Sequence, residues 1–543
     1  MNTPHHISLL LVVVLSSWVA CSDSGGEDAS DASQDTDLVD VSQDAPITDS
    51  SASDGDTVNP SDLGLDTTSD TASLDTSVDA EPDTVTLDIS EDTGDGVEPD
   101  TATLDTSVDV EPDADPASDC GQIETFETGL VPVRELHVAL DGDDASGDGS
   151  AEAPWGTLAF AAERAQPGDA VRIHPGTWPG GTFLTDLRGQ EGAPIWVGGL
   201  PGAERPVIDA DGGSEGLHLV RPRYVVLHDL VVRGARNNGV NTDDGGEVGN
   251  PDAARFIVFR GLQIEDVGTG GNNDCLKLSG LDDYWVLDSR FERCGGGGSG
   301  VDHVGCHRGL LARNTFVDLG SSGIQNKGGS VDIEIRWNHF RNAGARPVNM
   351  GGSTGEDFFR PPLSANEPNV EAARIHVVAN LFEGGETAAA FVGCVACVFA
   401  HNTVVLPERW VWRILQETVS NDTYTFQESQ RGQVVNNLIV FDPDQLSRAV
   451  NVSSNTQPET FTFAHNLWFA QGAPERSAPQ LPVEETGAVI GQDPGLGAGF
   501  AIEADSPAAR AGSADGLRWV TGDMQGACYA DPPSIGAFAA PEP

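Results

Sequence analysis

The stretch from about Leu136 to Phe538 predicts an all-β domain. It reads as a right-handed parallel β-helix with a short N-terminal capping helix, preceded by a disordered acidic tether. Three observations carry this. A short motif of apolar residues, Asn and a further apolar pair keeps returning. A second column lies between its copies at nearly constant spacing. Gly-rich corners separate the short β-type runs.

The motif runs Leu311-Ala312-Arg313-Asn314-Thr315-Phe316, Ile335-Arg336-Trp337-Asn338-His339-Phe340, Val377-Val378-Ala379-Asn380-Leu381-Phe382 and Phe399-Ala400-His401-Asn402-Thr403-Val404. It returns at Val434-Val435-Asn436-Asn437 and Phe463-Ala464-His465-Asn466. Earlier copies place Ser289, Gly261 and Asp229 at the Asn position. Asn tolerates left-handed backbone and hydrogen-bonds nearby main chain at turns. Stacked at one corner, each Asn can also bond its equivalents in adjacent coils, so the column reads as structural bracing. In the second column Leu276, Val301, Ile324 and Val348 are spaced by 25, 23 and 24 residues. Such a period means stacked coils, each burying its apolar face against its neighbours.

The ends follow from local pattern. Leu158 to Ala165 reads as a short amphipathic helix that covers the first coil and blocks edge pairing. Residues 1–21 resemble a bacterial lipoprotein-type signal, with an apolar core from Ile7 to Leu15 and a cleavage box Trp18-Val19-Ala20-Cys21; lipidation is expected at Cys21. Residues 22–119 are rich in Asp, Ser and Thr and hold 30 acidic residues but no Lys or Arg, a composition too charged and too poor in aromatics to fold. That tether accounts for 30 of the 56 net negative charges and leaves −26 for the rest, which argues against a nucleic-acid partner. The expected product is an exported monomer, lipid-anchored at the bacterial cell surface or otherwise secreted, with residues 120–543 as the β-helix domain. With Cys21 lipidated, seven cysteines remain and at least one stays unpaired. Cys120 and Cys528 bracket the folded region, so a clasp between them is one open pairing, and Cys394-Val395-Ala396-Cys397 reads as structural.

Strand alternation then places chemistry. With Leu276, Val301, Ile324 and Val348 inward, Lys277, Asp302, Gln325 and Asn349 face out in one row, and Asn241 joins it one coil earlier. Asp243, Ser279, Val304, Lys327 and Gly351 lie two positions on. Lys277 and Lys327 are the only lysines in the chain. Lysine can act as a base, and uronic-acid cleavage by elimination needs a base for the C5 proton and a cation for the carboxylate. Lys327 and Lys277 are therefore the expected bases. Asp243, Asp244 and Asp274 are the expected Ca2+ ligands. His303 is expected to join the two lysines as a catalytic residue in contact with substrate, and Asp302, Gln325, Arg346 and Asn349 are expected to bind substrate. Two long interruptions, Gly351 to Ala372 and Pro407 to Gly432, carry Phe358, Phe359, Arg360, Trp410 and Trp412, and Arg360 and Trp410 are expected to line a binding wall.

Asn241-Thr242-Asp243, Asp274-Cys275, His303 and Gln325-Asn326-Lys327 partly resemble, in order, the motifs that polygalacturonases place on successive coils. Here Asn273 and Gln325 replace family residues. Ile324-Gln325-Asn326-Lys327-Gly328 followed by Ile335 to Phe340 resembles the catalytic-lysine coil of the alginate lyase and chondroitinase B family. The N-terminal helix and the terminal segment Ser534-Ile535-Gly536-Ala537-Phe538 resemble secreted β-helix proteins, polysaccharide lyases among them. These resemblances imply a polysaccharide partner and a Ca2+-assisted lyase acting on an acidic polysaccharide. A non-catalytic adhesion or glycan-binding protein and a polygalacturonase-type hydrolase are the alternatives.

Overall fold

A computed structural model describes residues 120–268, 271 and 273–542; the signal, Cys21 and the tether lie outside them. Its strands form three sheets in which every pair is parallel, with thirteen, twelve and ten strands among the described residues. Each coil visits the sheets in order. One coil runs Asp282–Leu287 in the first sheet, Arg290–Cys294 in the second and Ser299–Val304 in the third. Parallel neighbours one coil apart satisfy the strand hydrogen bonds, and parallel crossovers of this kind wind right-handed. This is the right-handed parallel β-helix that the repeat predicts.

The interior is a set of ladders. Leu276, Val301, Ile324 and Val348 are in register and fully buried. Phe291, Phe316, Phe340 and Phe382 stack along the second sheet with centroids 5.0, 4.8 and 4.7 Å apart, close to the spacing of the coils themselves. At the corner between first and second sheets, the Asn338 N–H and side-chain amide both donate to Asn380 Oδ1 at 2.9 and 3.0 Å. The same pattern runs from Asn314 to Asn466, where Glu485 ends it as the acceptor. The left-handed residue at this corner is the one before each Asn: Arg313, Trp337, Ala379, His401, Asn436 and His465 all have φ between 52° and 59°. The column therefore continues back through Ser289 to Leu262 and Leu230. Gly261 and Asp229 occupy the left-handed position instead, one residue earlier than the repeat suggested.

The predicted helix forms over Leu158–Ala162, with Thr157 accepting the Phe160 N–H at its N-cap, and it buries Leu158, Ala161 and Ala162 against the first coil. The chain ends decide which face stays open. Phe126 and Leu130 cover the outward row Ala170, Trp196, Val226 and Val258 of the first sheet. Val520 and Tyr529 pack farther along, with Trp337 Nε1 donating to the Gly522 carbonyl at 3.0 Å. Cys120 and Cys528 are disulfide-bonded, joining the two terminal segments. Cys275 pairs with Cys294 and Cys394 with Cys397, while Cys306 is buried and has no disulfide partner among the described residues.

Candidate functional site

The outward row of the third sheet is continuous. Phe183, His218, Asn241, Lys277, Asp302, Gln325 and Asn349 are consecutive cross-strand partners. Asp243, Ser279, Val304 and Lys327 form the parallel row two residues on, and a register shift after Gln325 pairs Gly351 with Asn326 instead.

The two lysines meet at one carboxylate. Lys277 Nζ donates to Asp302 Oδ2 and lies 3.7 Å from Asp274 Oδ2; Lys327 Nζ lies 3.8 Å from Asp302 Oδ2. Asp302 and Asp274 are each 1% exposed and Lys327 3%, whereas Lys277, at 19%, stands between the carboxylates and solvent. Burial pushes the Asp274 carboxyl up, and the neighbouring Asp302 charge adds to that. Burial acts on Asp302 in the same direction, but Lys277 and Lys327 outweigh it and hold Asp302 ionised. Two carboxylates at one ammonium are thus driven toward opposite protonation states. Asp302 Oδ1 and Asn349 Oδ1 are buried without a protein donor.

A cleft of about 400 Å³ opens beside this cluster, lined by Asn241, Asp243, Lys277, Ser279, Thr354 and Phe358. The insertion after Gly351 forms its wall, and Glu371, at the insertion's end, holds that wall in place. Glu371 Oε1 accepts from Thr354 Oγ1 and from the Gly328 N–H at 3.2 Å, and Oε2 accepts from Thr418 Oγ1 at 2.9 Å. One carboxyl therefore ties both long insertions to the Lys327 turn. Burial raises its pKa to about 7, against the pull of those donors and of the Lys327 charge. The sequence gives little sign of Glu371 beyond an acidic residue where a long insertion rejoins the repeat. His218 was more accessible: Gly216-Leu217-His218-Leu219 repeats the alternation of Gly239-Val240-Asn241-Thr242 one coil earlier.

Several expectations need correction. His303 follows Asp302 directly, so alternation turns it inward. It is fully buried, with Nδ1 on the Gln325 carbonyl at 2.9 Å, and burial lowers its pKa to about 4, so it stands behind the outward row and not in it. Arg360 is buried and donates to both Asp282 oxygens at 3.0 and 2.8 Å and to the Gly305 carbonyl at 3.1 Å, so its guanidinium anchors the insertion. Trp410 is buried with Arg409 and Arg413 against its ring, and Trp412 belongs to the third-sheet strand Trp412–Leu415 and points into the core. Of the loop aromatics, Phe358 is exposed and Phe359 is buried. Arg346 is half-buried and pairs with Glu417 at 2.7 Å.

The expected Ca2+ cage does not assemble. Among the described residues no three His, Cys, Asp or Glu side chains converge as ion ligands. Asp243 faces His218 at 2.6 Å, Asp244 turns back onto the Gly246 N–H at 2.9 Å, and Asp274 accepts from the Ser299 N–H at 2.8 Å. The three carboxylates serve separate partners, so they do not fit a shared cation.

The fold and the strip together define a right-handed parallel β-helix whose third sheet carries an open polar face. No protein-family model matches the chain, and no curated protein does. Among solved structures it is similar to a GH136 lacto-N-biosidase from Eubacterium ramulus, at 14% identity, covering 66% of this chain and 68% of that one with a TM-score of 0.46. It is also similar to pectate lyase Pel9A, at 16% identity, covering 78% and 100% with a TM-score of 0.45. An alginate lyase from Paenibacillus sp. str. FPU-7 matches at 15% identity over 60% and 97%, with a TM-score of 0.36. The fold assignment here rests on the strand pairing itself.

Proposed function

We propose that the domain is an exported polysaccharide-cleaving β-helix, held at the cell surface through lipidated Cys21 and the acidic tether, with its glycan lying across the coils of the third sheet. The observation that carries this reading is the gathering of Asp274, Asp302, Lys277 and Lys327 at one point of an in-register outward row, beside an open cleft. A carboxyl whose pKa is raised to about 6 next to a carboxylate held ionised is the pairing that glycoside hydrolysis uses. Asp274 gives its proton to the glycosidic oxygen as the bond to the anomeric carbon breaks. Both carboxylates lie against one ammonium, too close to hold a water between them, so Asp302 attacks the anomeric carbon as that bond breaks, and water then displaces it and gives its proton to Asp274. Lys277, the exposed member, yields its place over the pair when substrate binds.

β-Elimination is the second reading, and one observation favours it: the only two lysines of the chain reach the same carboxylate. Charge weighs against it. Elimination needs a uronate, and the cleft presents Asp243, Asp244 and Asp357, while its two cations, Arg360 and Lys277, are bound to Asp282 and Asp302.

Incubation with neutral and uronate polymers separates the readings when new reducing ends and the absorbance of unsaturated ends are followed together. Hydrolysis predicts reducing ends without unsaturation, and a loss of about 100-fold or more in Asp274→Asn and Asp302→Asn. Unsaturated ends that vanish in Lys327→Ala would replace hydrolysis by elimination. No product from any polymer would leave a glycan-binding surface protein and end the proposal of cleavage.

A further inference from the structure

We propose that Phe183, seated on His218, is a stacking platform for a neutral pyranose ring at the N-terminal end of the strip. The inference rests on the reading of the third sheet as a glycan-binding face and extends it by a subsite and a substrate class. Phe183 is 58% exposed and occupies the same outward row as Lys277, three coils earlier. At the spacing of adjacent strands that is about 14 Å along the strip, a few sugar units from the Lys277–Asp302 cluster.

A lone exposed phenylalanine is ordinary on a protein surface. This one has a built underside. Its ring centroid lies 4.7 Å from that of His218, with 36° between the planes. His218 Nε2 is hydrogen-bonded to Asp243 at 2.6 Å, and Glu215 Oε2 lies 3.0 Å from Nδ1 as an ion-pair partner on the other side. Asn241 Nδ2 joins the group by donating to Glu215 Oε1 at 3.2 Å. Burial alone would lower the His218 pKa, but the hydrogen bonds to Asp243 and Glu215 outweigh it and raise it to about 9, so the ring stays charged and clamped at neutral pH. The phenylalanine is thus supported on one side by a fixed imidazolium.

A pyranose presents an apolar C–H face and a rim of hydroxyls. The first suits the electron-rich face of an aromatic ring, and the second suits acceptors beside it. Glu215, Asp243 and the Asn241 amide supply that polar rim. Two carboxylates against one imidazolium leave the rim net negative, which disfavours a uronate and favours an uncharged sugar. A neutral sugar carries no carboxylate to acidify its C5 proton, so the platform and the hydrolytic cluster call for the same kind of polymer.

Affinity electrophoresis of the full-length chain in xylan, mannan, galactan, mixed-linkage glucan and polygalacturonate tests the class. At least one neutral polymer should retard the protein more than polygalacturonate does. Calorimetry with a length series of oligosaccharides from the retained polymer tests the residue. Phe183→Ala should weaken the longest oligosaccharides by about fivefold or more, with a loss that shrinks as the chain shortens, and Phe183→Tyr should restore binding. Binding by Phe183→Ala equal to wild type, or retention by polygalacturonate alone, overturns the platform. If Phe183→Ala binds as wild type while Asp302→Asn abolishes cleavage, the platform falls and the proposed function stands. If wild type binds no polymer, both fall.

Discussion

At the residue scale, the site depends on charges removed from water and placed where their neighbours set their state. Glu371 shows this most simply. Burial raises its pKa from the usual 4.5 to about 7. A carboxyl raised in this way contributes stability that is fully present below the unfolded value and is lost as pH rises through the folded one. Melting temperature should therefore fall from about pH 4.5 to above pH 7 more steeply in wild type than in Glu371→Gln; parallel curves would show that Glu371 does not titrate in this window. The Asn ladder makes a second case. Asn380→Ala removes the acceptor of the Asn338 N–H and leaves it buried and unsatisfied, while the Asn338 amide keeps the Leu311 and Arg336 carbonyls, and denaturant titration should show a loss of about 1–3 kcal/mol. The same scale shows where sequence reading succeeds and stops. Lys277, Asp302, Gln325 and Asn349 follow from strand parity and a constant coil length. His303 follows from the same parity, which turns it inward; its motif resemblance pointed the other way. The Ca2+ set depended on carboxylates converging, and convergence is set by backbone turns such as the one that folds Asp244 onto Gly246.

At the scale of elements, the insertions are where spacing carries least information. The repeat fixes where Gly351 leaves the coil and Ala372 rejoins it, but nothing periodic says what the intervening loop touches. Among the contacts that pin it are Glu371 with Thr354, Arg360 with Asp282 of the first sheet, and Glu356 with Asn421 of the second insertion. Burial pushes Asp282 up, but hydrogen bonds from His307 and Arg360 hold it well below the usual carboxylate range. Arg360→Ala would leave that buried carboxylate with His307 and the more distant Arg308, at a cost of about 3 kcal/mol, and limited proteolysis should cut the loop near Phe358 sooner than in wild type. An Arg360→Ala protein that keeps its stability and its loop but loses glycan affinity would instead return Arg360 to the substrate.

At the scale of the whole molecule, the three sheets are alike in construction and differ in what covers them. The N-terminal segment with Phe126 and the C-terminal segment with Tyr529 close over the first sheet and are tied by Cys120–Cys528. The third sheet, from Thr182–Thr185 to Val450–Val452, carries the polar row, and Asn241 and Lys277 of that row line the cleft. The solenoid itself was legible in the sequence, because one spacing recurs through the coils; the choice of open face was not, because it depends on where non-repeating termini dock. The crystal structure of Asp302→Asn with an oligosaccharide of the polymer it binds best tests the central claim most directly. The account predicts sugar rings running across the coils of the third sheet, with one ring over Phe183 and a glycosidic oxygen at Asp274. A chain bound on the first or second sheet, or along a single coil away from the Lys277–Lys327 cluster, would contradict it.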